Sequence, residues 1–306
     1  MKAKSKSPSI VGTLCLGLLM FTPLEATQAS CPEGNRYLDL AKKSGSQQDF
    51  SQAVTWLERS VESCDSYDAW HLMGMAQQKQ RNLKEALTAY SQAAELAPND
   101  KSAAISIARY GQTLALNGQR YEALTMLERA MDMHPNPPSW IQNTAKQIDL
   151  NIVDQPISRE SIKRSLSTQE FGLLASVRSK TKGTSKSDAV SSRIRIPINF
   201  EYDSIDLDEL TQKNLAQLGA VLSEDKYHDR TFTLIGHTDV RGTTQYNHTL
   251  SESRAEAIEQ ELVDNFPELK GRLKIKGAGE SSPKYKGQKI SEEEHRLNRR
   301  LEVFIN

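Results

Sequence analysis

Apolar residues recur at helical spacing through the first half of this chain. In the second half they switch between helical and strict alternating spacing. From residue 34 to 137 the pattern repeats itself. Its clearest unit is Tyr67 to Asp100, a stretch of about 34 residues bearing Trp70, Met73, Gly74, Ala86, Tyr90, Ala93 and Pro98. Small residues at Gly74, Ala86 and Ala93 predict two helices in close approach, with Trp70 and Tyr90 filling the gaps and Pro98 ending the second helix. The set returns downstream as Tyr110, Gly111, Ala123, Leu127, Ala130 and Pro135, and more faintly upstream as Tyr37, Leu40, Ala41, Ala53, Leu57 and Ser60. Trp140, Ile141 and Ile148 predict a helix that caps the last apolar face, and Met126, Met131 and Met133 read as core filler. Between residues 154 and 192 the pattern fades into a Ser-rich, mildly basic stretch expected to be a linker, with short elements at Ile157–Leu166 and Phe171–Val177 docked on a neighbour.

After that stretch, strands are expected at Ile194–Phe200, Thr231–Ile235, Leu273–Gly277 and Arg300–Ile305. Helices are expected at Leu207–Leu222 and Thr244–Asn265, with a loop over Gly279–Gly287. Strands alternating with helices predict a two-layer α/β sandwich. The chain is therefore multidomain: an all-α helical-repeat solenoid over 31–153, a linker over 154–192 and an α/β domain over 193–306.

Charge adds little, because Lys plus Arg and Asp plus Glu both number 39. No net field draws the whole molecule to nucleic acid or to an anionic bilayer. The first residues say more: Lys2, Lys4 and Lys6, an apolar run from Ile10 to Phe21, then Pro23 and Thr27-Gln28-Ala29, the pattern of a signal peptide over 1–29. That run is too short for the roughly 20 residues of a membrane span, and the sequence offers no other, so an exported chain without a transmembrane segment is expected. Once the signal leaves, Cys31 and Cys64 remain. Export and an even thiol count predict a disulfide between them, across the adjacent ends of an antiparallel helix pair. Ala29-Ser30-Cys31 also fits the end of a lipoprotein cleavage site, so lipidation of Cys31 stands as the rival reading.

The unit at Tyr67–Asp100 resembles a tetratricopeptide repeat, and that resemblance implies a curved surface that takes up a partner protein, here of unknown identity. Over residues 194–306 the chain resembles the OmpA-like peptidoglycan-binding domain. The match rests on Phe200-Glu201-Tyr202-Asp203-Ser204, Gly236-His237-Thr238-Asp239 with Gly242, Tyr246-Asn247, Leu250-Ser251, Arg254-Ala255, Gly277, Gly279-Glu280, Pro283 and Asn298-Arg299-Arg300 with Glu302. The resemblance implies that Asp239 and Arg254 hold the amine and the carboxylate at the side-chain end of meso-diaminopimelate in a peptidoglycan stem peptide. Where the family often has Asp after Phe200 this chain has Glu201, which puts a direct role there in doubt.

The residues themselves support that assignment. An Arg fork suits a carboxylate and an Asp accepts from an amine. Asn247, Leu250 and Arg254 share one helical face, while Ala255, Ile258 and Leu262 take another and pack on the sheet. Thr238 and Asp203 are expected to frame the pocket, and Arg300 to brace it or touch the peptide, with Arg299 and Arg300 pointing to opposite faces of a strand. A structural salt bridge, Arg254 to Asp239 included, is the alternative for those charges. His237 with Asp239 and nearby Ser251 and Ser253 raises an enzyme reading. However, no second His or Cys stands at metal-ligand spacing, and there is neither a Gly-x-Ser-x-Gly elbow nor a His-Glu-x-x-His helix, so His237 is read as a hydrogen-bonded structural histidine. No catalytic residue, metal or cofactor is expected. The reading is a non-catalytic periplasmic adaptor of a Gram-negative-type envelope, cell-wall associated and possibly outer-membrane associated. The alternative is a structural accessory component of an envelope secretion or division assembly.

Overall fold

Helix pairs form where a capping side chain precedes an apolar-periodic run. The computed structural model describes residues 31–170, 192–196, 198, 200, 203–287 and 289–306. The expected signal segment, the expected element at Phe171–Val177 and Glu201 lie outside these. The first half holds α1 (Pro32–Ser46), α2 (Phe50–Ser63), α3 (Tyr67–Lys79), α4 (Leu83–Leu96), α5 (Asp100–Leu116), α6 (Arg120–Met133) and α7 (Ser139–Ile152). Asp49, Ser66 and Asn99 accept hydrogen bonds from the amides of Gln52, Ala69 and Ser102, satisfying donors that the first turns leave open.

Small residues set the spacing of the pairs. Ala86, Ala93, Ala123 and Ala130 are fully buried. A Cβ on Gly74 would meet the Tyr90 ring at 2.6 Å, so that ring lies against bare backbone. The disulfide forms between Cys31 and Cys64, with Cα atoms 5.9 Å apart, joining the start of α1 to the end of α2. A sulfur held in that bridge is not available for lipidation. Ile141 and Ile148 of α7 are buried on the preceding pair, and the Arg109 guanidinium sits 4.2 Å over the Trp140 ring. The capping role expected of that helix follows from these contacts.

The second half holds β1 (Ser192–Ile196), α9 (Glu209–Leu222), β2 (Phe232–Gly236), α10 (Thr244–Asn265), β3 (Leu273–Gly277), α11 (Glu292–Asn298) and β4 (Leu301–Ile305). The sheet order is β1-β4-β2-β3, with β4 antiparallel to both neighbours and β2 parallel to β3. Ile194, Val303 and Leu234 align across three strands and pack with Leu218, Ile258 and Leu262 of the two long helices. This is the two-layer α/β sandwich that the alternating pattern predicts. β1 ends at Ile196, short of the expected Phe200, because the next residue is Pro197, which has no N–H for the ladder.

The segment expected to be a linker starts differently. Arg159–Glu170 forms a helix, here α8 although it precedes β1 in the chain. Ile157, Ile162 and Leu166 are buried in the core of the second domain, and the Ile157 amide donates to Asn214 Oδ1 at 2.9 Å. The short element expected at 157–166, docked on a neighbour, is present and packs into that core.

The two domains meet through acids on α6 and α7 and bases on the outer face of the sheet. Asp149 is fully buried, pairs with Arg195 and, at 3.1 Å, with Lys284, and accepts from the Tyr285 hydroxyl at 2.8 Å. Glu128 pairs with Lys284. Around this centre lie Arg193 with Asp132 at 3.1 Å, Lys146 with Glu294 at 2.7 Å and Arg296 with Asp154 at 2.8 Å. Burial alone would raise the Glu128 carboxyl, but Lys284 and Arg195 hold it down at about 2. It is ionised, as a buried acid facing two bases should be.

Candidate functional site

At the carboxyl end of β2 the backbone leaves the sheet through His237, Thr238 and Asp239, and α10 returns across the same end. Two glycines allow that helix to lie close. A Cβ on Gly236 would collide with the Ser251 carbonyl oxygen, and one on Gly277 would stand 2.7 Å from Ser251 Oγ. Ser251 Oγ in turn accepts from the Gly279 amide at 2.9 Å, and Gly279 O accepts from the Thr238 amide at 3.0 Å. Strand end, helix and the loop after β3 are thereby tied into one corner.

A small cleft opens in this corner, lined by Asp203, Thr238, Asp239, Asn247, Leu250 and Arg254, together with Arg241, Tyr246 and Arg299. Six of the seven residues expected to form the site meet here. The seventh, Arg300, faces the other way: it pairs with Glu302 at 2.8 Å and donates to the Ser282 carbonyl at 3.1 Å. Its neighbour Arg299 occupies the cleft instead, with Nη1 2.7 Å from Asp239 Oδ2. Arg241 and Tyr246 also escaped assignment to the site. Arg241 stands two residues beyond Asp239, and Tyr246 is one turn upstream of Leu250 on the same helix, so proximity in sequence was the available signal.

Asp239 is 3% exposed. It accepts from the Arg241 amide at 3.0 Å, from Arg241 Nη2 at 2.6 Å and from Arg299 Nη1 at 2.7 Å. Burial pushes its carboxyl up, but the hydrogen bonds of Arg241 and Arg299 more than offset this and hold it well below the usual carboxylate range. Arg241 bridges onward to Glu292 at 2.9 Å. Arg254, 1% exposed, donates from Nε to the Ser204 carbonyl at 2.9 Å and lies 4.6 Å above the Phe200 ring. Burial and the nearby Arg299 lower it to about 10, so it stays charged at neutral pH. Both charges are thus buried. Thr238 Oγ1 is a buried hydroxyl without a hydrogen-bond partner among the described residues, and the Asn247 amide leans toward the Glu280 carboxylate, while Asp203 holds φ at 60° and binds the Tyr246 hydroxyl.

The chemistry available is recognition of a small polar group. Arg254 presents a fixed cation, Asp239 a fixed anion, and Thr238 an unused hydroxyl within the same walls. With Arg241 folded over Asp239 the free volume is only about 20 Å³. An incoming amine reaches the carboxylate by displacing that guanidinium. His237 differs from its sequence reading as a hydrogen-bonded histidine: it is 4% exposed, and neither ring nitrogen has a hydrogen-bond partner among the described residues.

Residues 199–296 match the OmpA family, and residues 67–100 match the tetratricopeptide repeat. Outer membrane porin F of Pseudomonas aeruginosa is 32% identical over 113 residues, a match that spans 37% of this chain and 31% of the porin, less than a third of its length. The peptidoglycan-associated lipoprotein of the same organism is 33% identical over 123 residues, 39% of this chain and 67% of the lipoprotein. Among solved structures, the peptidoglycan-associated lipoprotein from Burkholderia pseudomallei aligns at 26% identity over 36% of this chain and 88% of its own, with a TM-score of 0.32.

Proposed function

Since this chain belongs to the OmpA family through its C-terminal domain, we propose that it is a non-catalytic cell-envelope anchor whose sheet-end cleft binds peptidoglycan and whose helical repeats engage a protein partner. In this reading the ligand is the stem peptide at its meso-diaminopimelate residue, with Arg254 taking the side-chain carboxylate and Asp239 the ammonium. The observation that carries it is that Asp239 and Arg254 line one cleft, each buried and charged, with the unpartnered hydroxyl of Thr238 beside them. Names borne by relatives point the same way, because one of them is a peptidoglycan-associated lipoprotein. The export pattern at the N-terminus and the bridge between Cys31 and Cys64 accord with an oxidising compartment such as the periplasm.

Affinity is expected to be modest, since only a few polar contacts offset the ordering of a short peptide. Calorimetry of the chain against two tripeptides, one carrying meso-diaminopimelate and one carrying lysine at the third position, tests the assignment. The first should bind and the second should lose most of the affinity, because lysine lacks the carboxylate that Arg254 would take. Equal binding of both peptides would remove Arg254 from the proposed role.

A further inference from the structure

The outer face of the sheet carries a second recess, on the opposite side of the His237–Asp239 and Arg299–Arg300 segments from the cleft just described. Side chains alternate there: Thr238, Asp239 and Arg299 go to the first cleft, while His237 and Arg300 go to the second. The second recess, about 510 Å³, has Ile235 and Phe304 among its lining residues along with His237, Arg300, Glu302 and Lys276. Through Arg193, Ser281, Ser282, Arg300 and Glu302 it continues into a cavity of about 760 Å³ between the sheet and the repeats, where Gln142, Asn143 and Lys146 of α7 form the far wall. The groove is therefore elongated, and half of it exists only because the repeat domain is docked on the sheet.

Its chemistry is specific in three respects. His237 lies at the recess more than nine-tenths buried, yet neither ring nitrogen has a hydrogen-bond partner among the described residues, and Glu302 Oε1 stands too far away at 3.8 Å. Burial and the neighbouring Arg300 lower its pKa to about 4, so at neutral pH the ring holds one donor and one acceptor nitrogen, both just beneath the recess surface, which ligand hydroxyls can satisfy once the wall gives slightly. Three bases around the groove are matched by acids, Arg300 with Glu302, Lys146 with Glu294 and Arg193 with Asp132. A strongly charged ligand would gain little there, whereas a neutral polar one could bond to both members of each pair. Phe304 and Ile235 add an apolar surface of the kind a sugar ring lies against.

We propose that this groove is a second wall-binding site, taking the hydroxyl- and acetamido-bearing glycan strand of the polymer whose peptide the first cleft takes. The proposal rests on the reading that the chain binds peptidoglycan, and it gives the repeat domain a direct share in holding the wall. The groove runs along the junction of the two domains, so a linear polymer can follow it while its peptide branch turns over the strand end toward Asp239.

The test is a nuclear magnetic resonance titration of the chain from Cys31 onward with two separate probes: the neutral tetrasaccharide of N-acetylglucosamine, which carries the hydroxyl and acetamido groups of the glycan strand without a free lactyl carboxylate, and a diaminopimelate tripeptide. The tetrasaccharide should shift the His237 and Phe304 ring signals saturably, with a Kd on the order of 1 mM. Ser282→Trp fills the shared part of the groove from an exposed position whose side chain makes no hydrogen bond among the described residues, so the fold is retained. It should weaken the tetrasaccharide at least about tenfold and spare the tripeptide. Asp239→Asn should do the reverse. Tetrasaccharide that leaves His237 unmoved, or that binds Ser282→Trp as well as wild type, overturns the second site whatever the tripeptide does. Tripeptide failure with the tetrasaccharide pattern intact refutes the diaminopimelate reading alone.

Discussion

Asp239 is held twice, and the two holds differ. Arg299 is 7% exposed and braces the carboxylate from within, donating also to the Phe200 carbonyl at 3.2 Å. Arg241 is a partly exposed lid whose other contact is Glu292. Removing Arg241 should leave Asp239 charged and placed by Arg299 while sparing an incoming ammonium the cost of displacing a guanidinium, worth up to about 1 kcal/mol for a partly exposed pair. Arg241→Ala is therefore expected to bind the diaminopimelate tripeptide roughly three- to fivefold more tightly, measured by calorimetry; weaker binding would make Arg241 a ligand contact in its own right. Arg254 calls for a different substitution. Its side chain fills space against Phe200, so Arg254→Ala would remove packing as well as charge. Arg254→Lys keeps the charge and loses only the planar fork.

Among the elements of the second domain, glycine and proline punctuation and the two apolar periods placed the two long helices and the four described strands to within a few residues. The legibility stopped where packing between elements decides. Ile162 and Leu166 are spaced for one helical face and the docked element expected there forms, but its polar neighbours hid that it completes the second core, which only the assembled sheet reveals. The short helix α11 was announced by Ser291 and Glu294, which form a reciprocal capping box, a signal that a scan for long apolar runs passes over. Arg299 and Arg300 show the limit at the site. Parity put them on opposite faces, yet Arg299 is the C-cap of α11 rather than a strand residue, so alternation alone did not say which one reached Asp239. The corner itself depends on Gly236, where any side chain must push α10 off β2. Gly236→Ala is expected to cost about 1–3 kcal/mol in urea unfolding and to abolish tripeptide binding, because α10 carries both Asn247 and Arg254. Native stability with full binding would show that the helix has room to shift.

For the whole molecule, buried neutral histidines set an acid limit on stability. His71 in the repeats and His237 in the second domain are each lowered to about 4, by burial first and then by Arg109 and Arg300 respectively. Between the unfolded value near 6.5 and the folded value the unfolded chain binds more protons, so stability is full above about pH 6.5 and falls as pH drops toward 4. His237 alone accounts for about 3 kcal/mol at most. Urea midpoints across that range should fall less steeply for His237→Gln than for wild type; parallel slopes would mean that His237 is solvated.

The seam of Asp149, Glu128, Arg195 and Lys284 ties the repeats to the α/β domain, so a partner bound by the repeats would be held at a fixed orientation to whatever the sheet-end cleft binds. Co-sedimentation of the chain from Cys31 onward with purified sacculi, comparing wild type with Asp239→Asn and Arg254→Lys, tests the central claim most directly. Both substitutions preserve side-chain bulk at buried positions, and near-ultraviolet circular dichroism confirms the fold of each protein used. Wild type should pellet with the sacculi and the bound fraction of each variant should fall at least about tenfold. Variants that fold and pellet like wild type would contradict the assignment of this cleft to the cell wall.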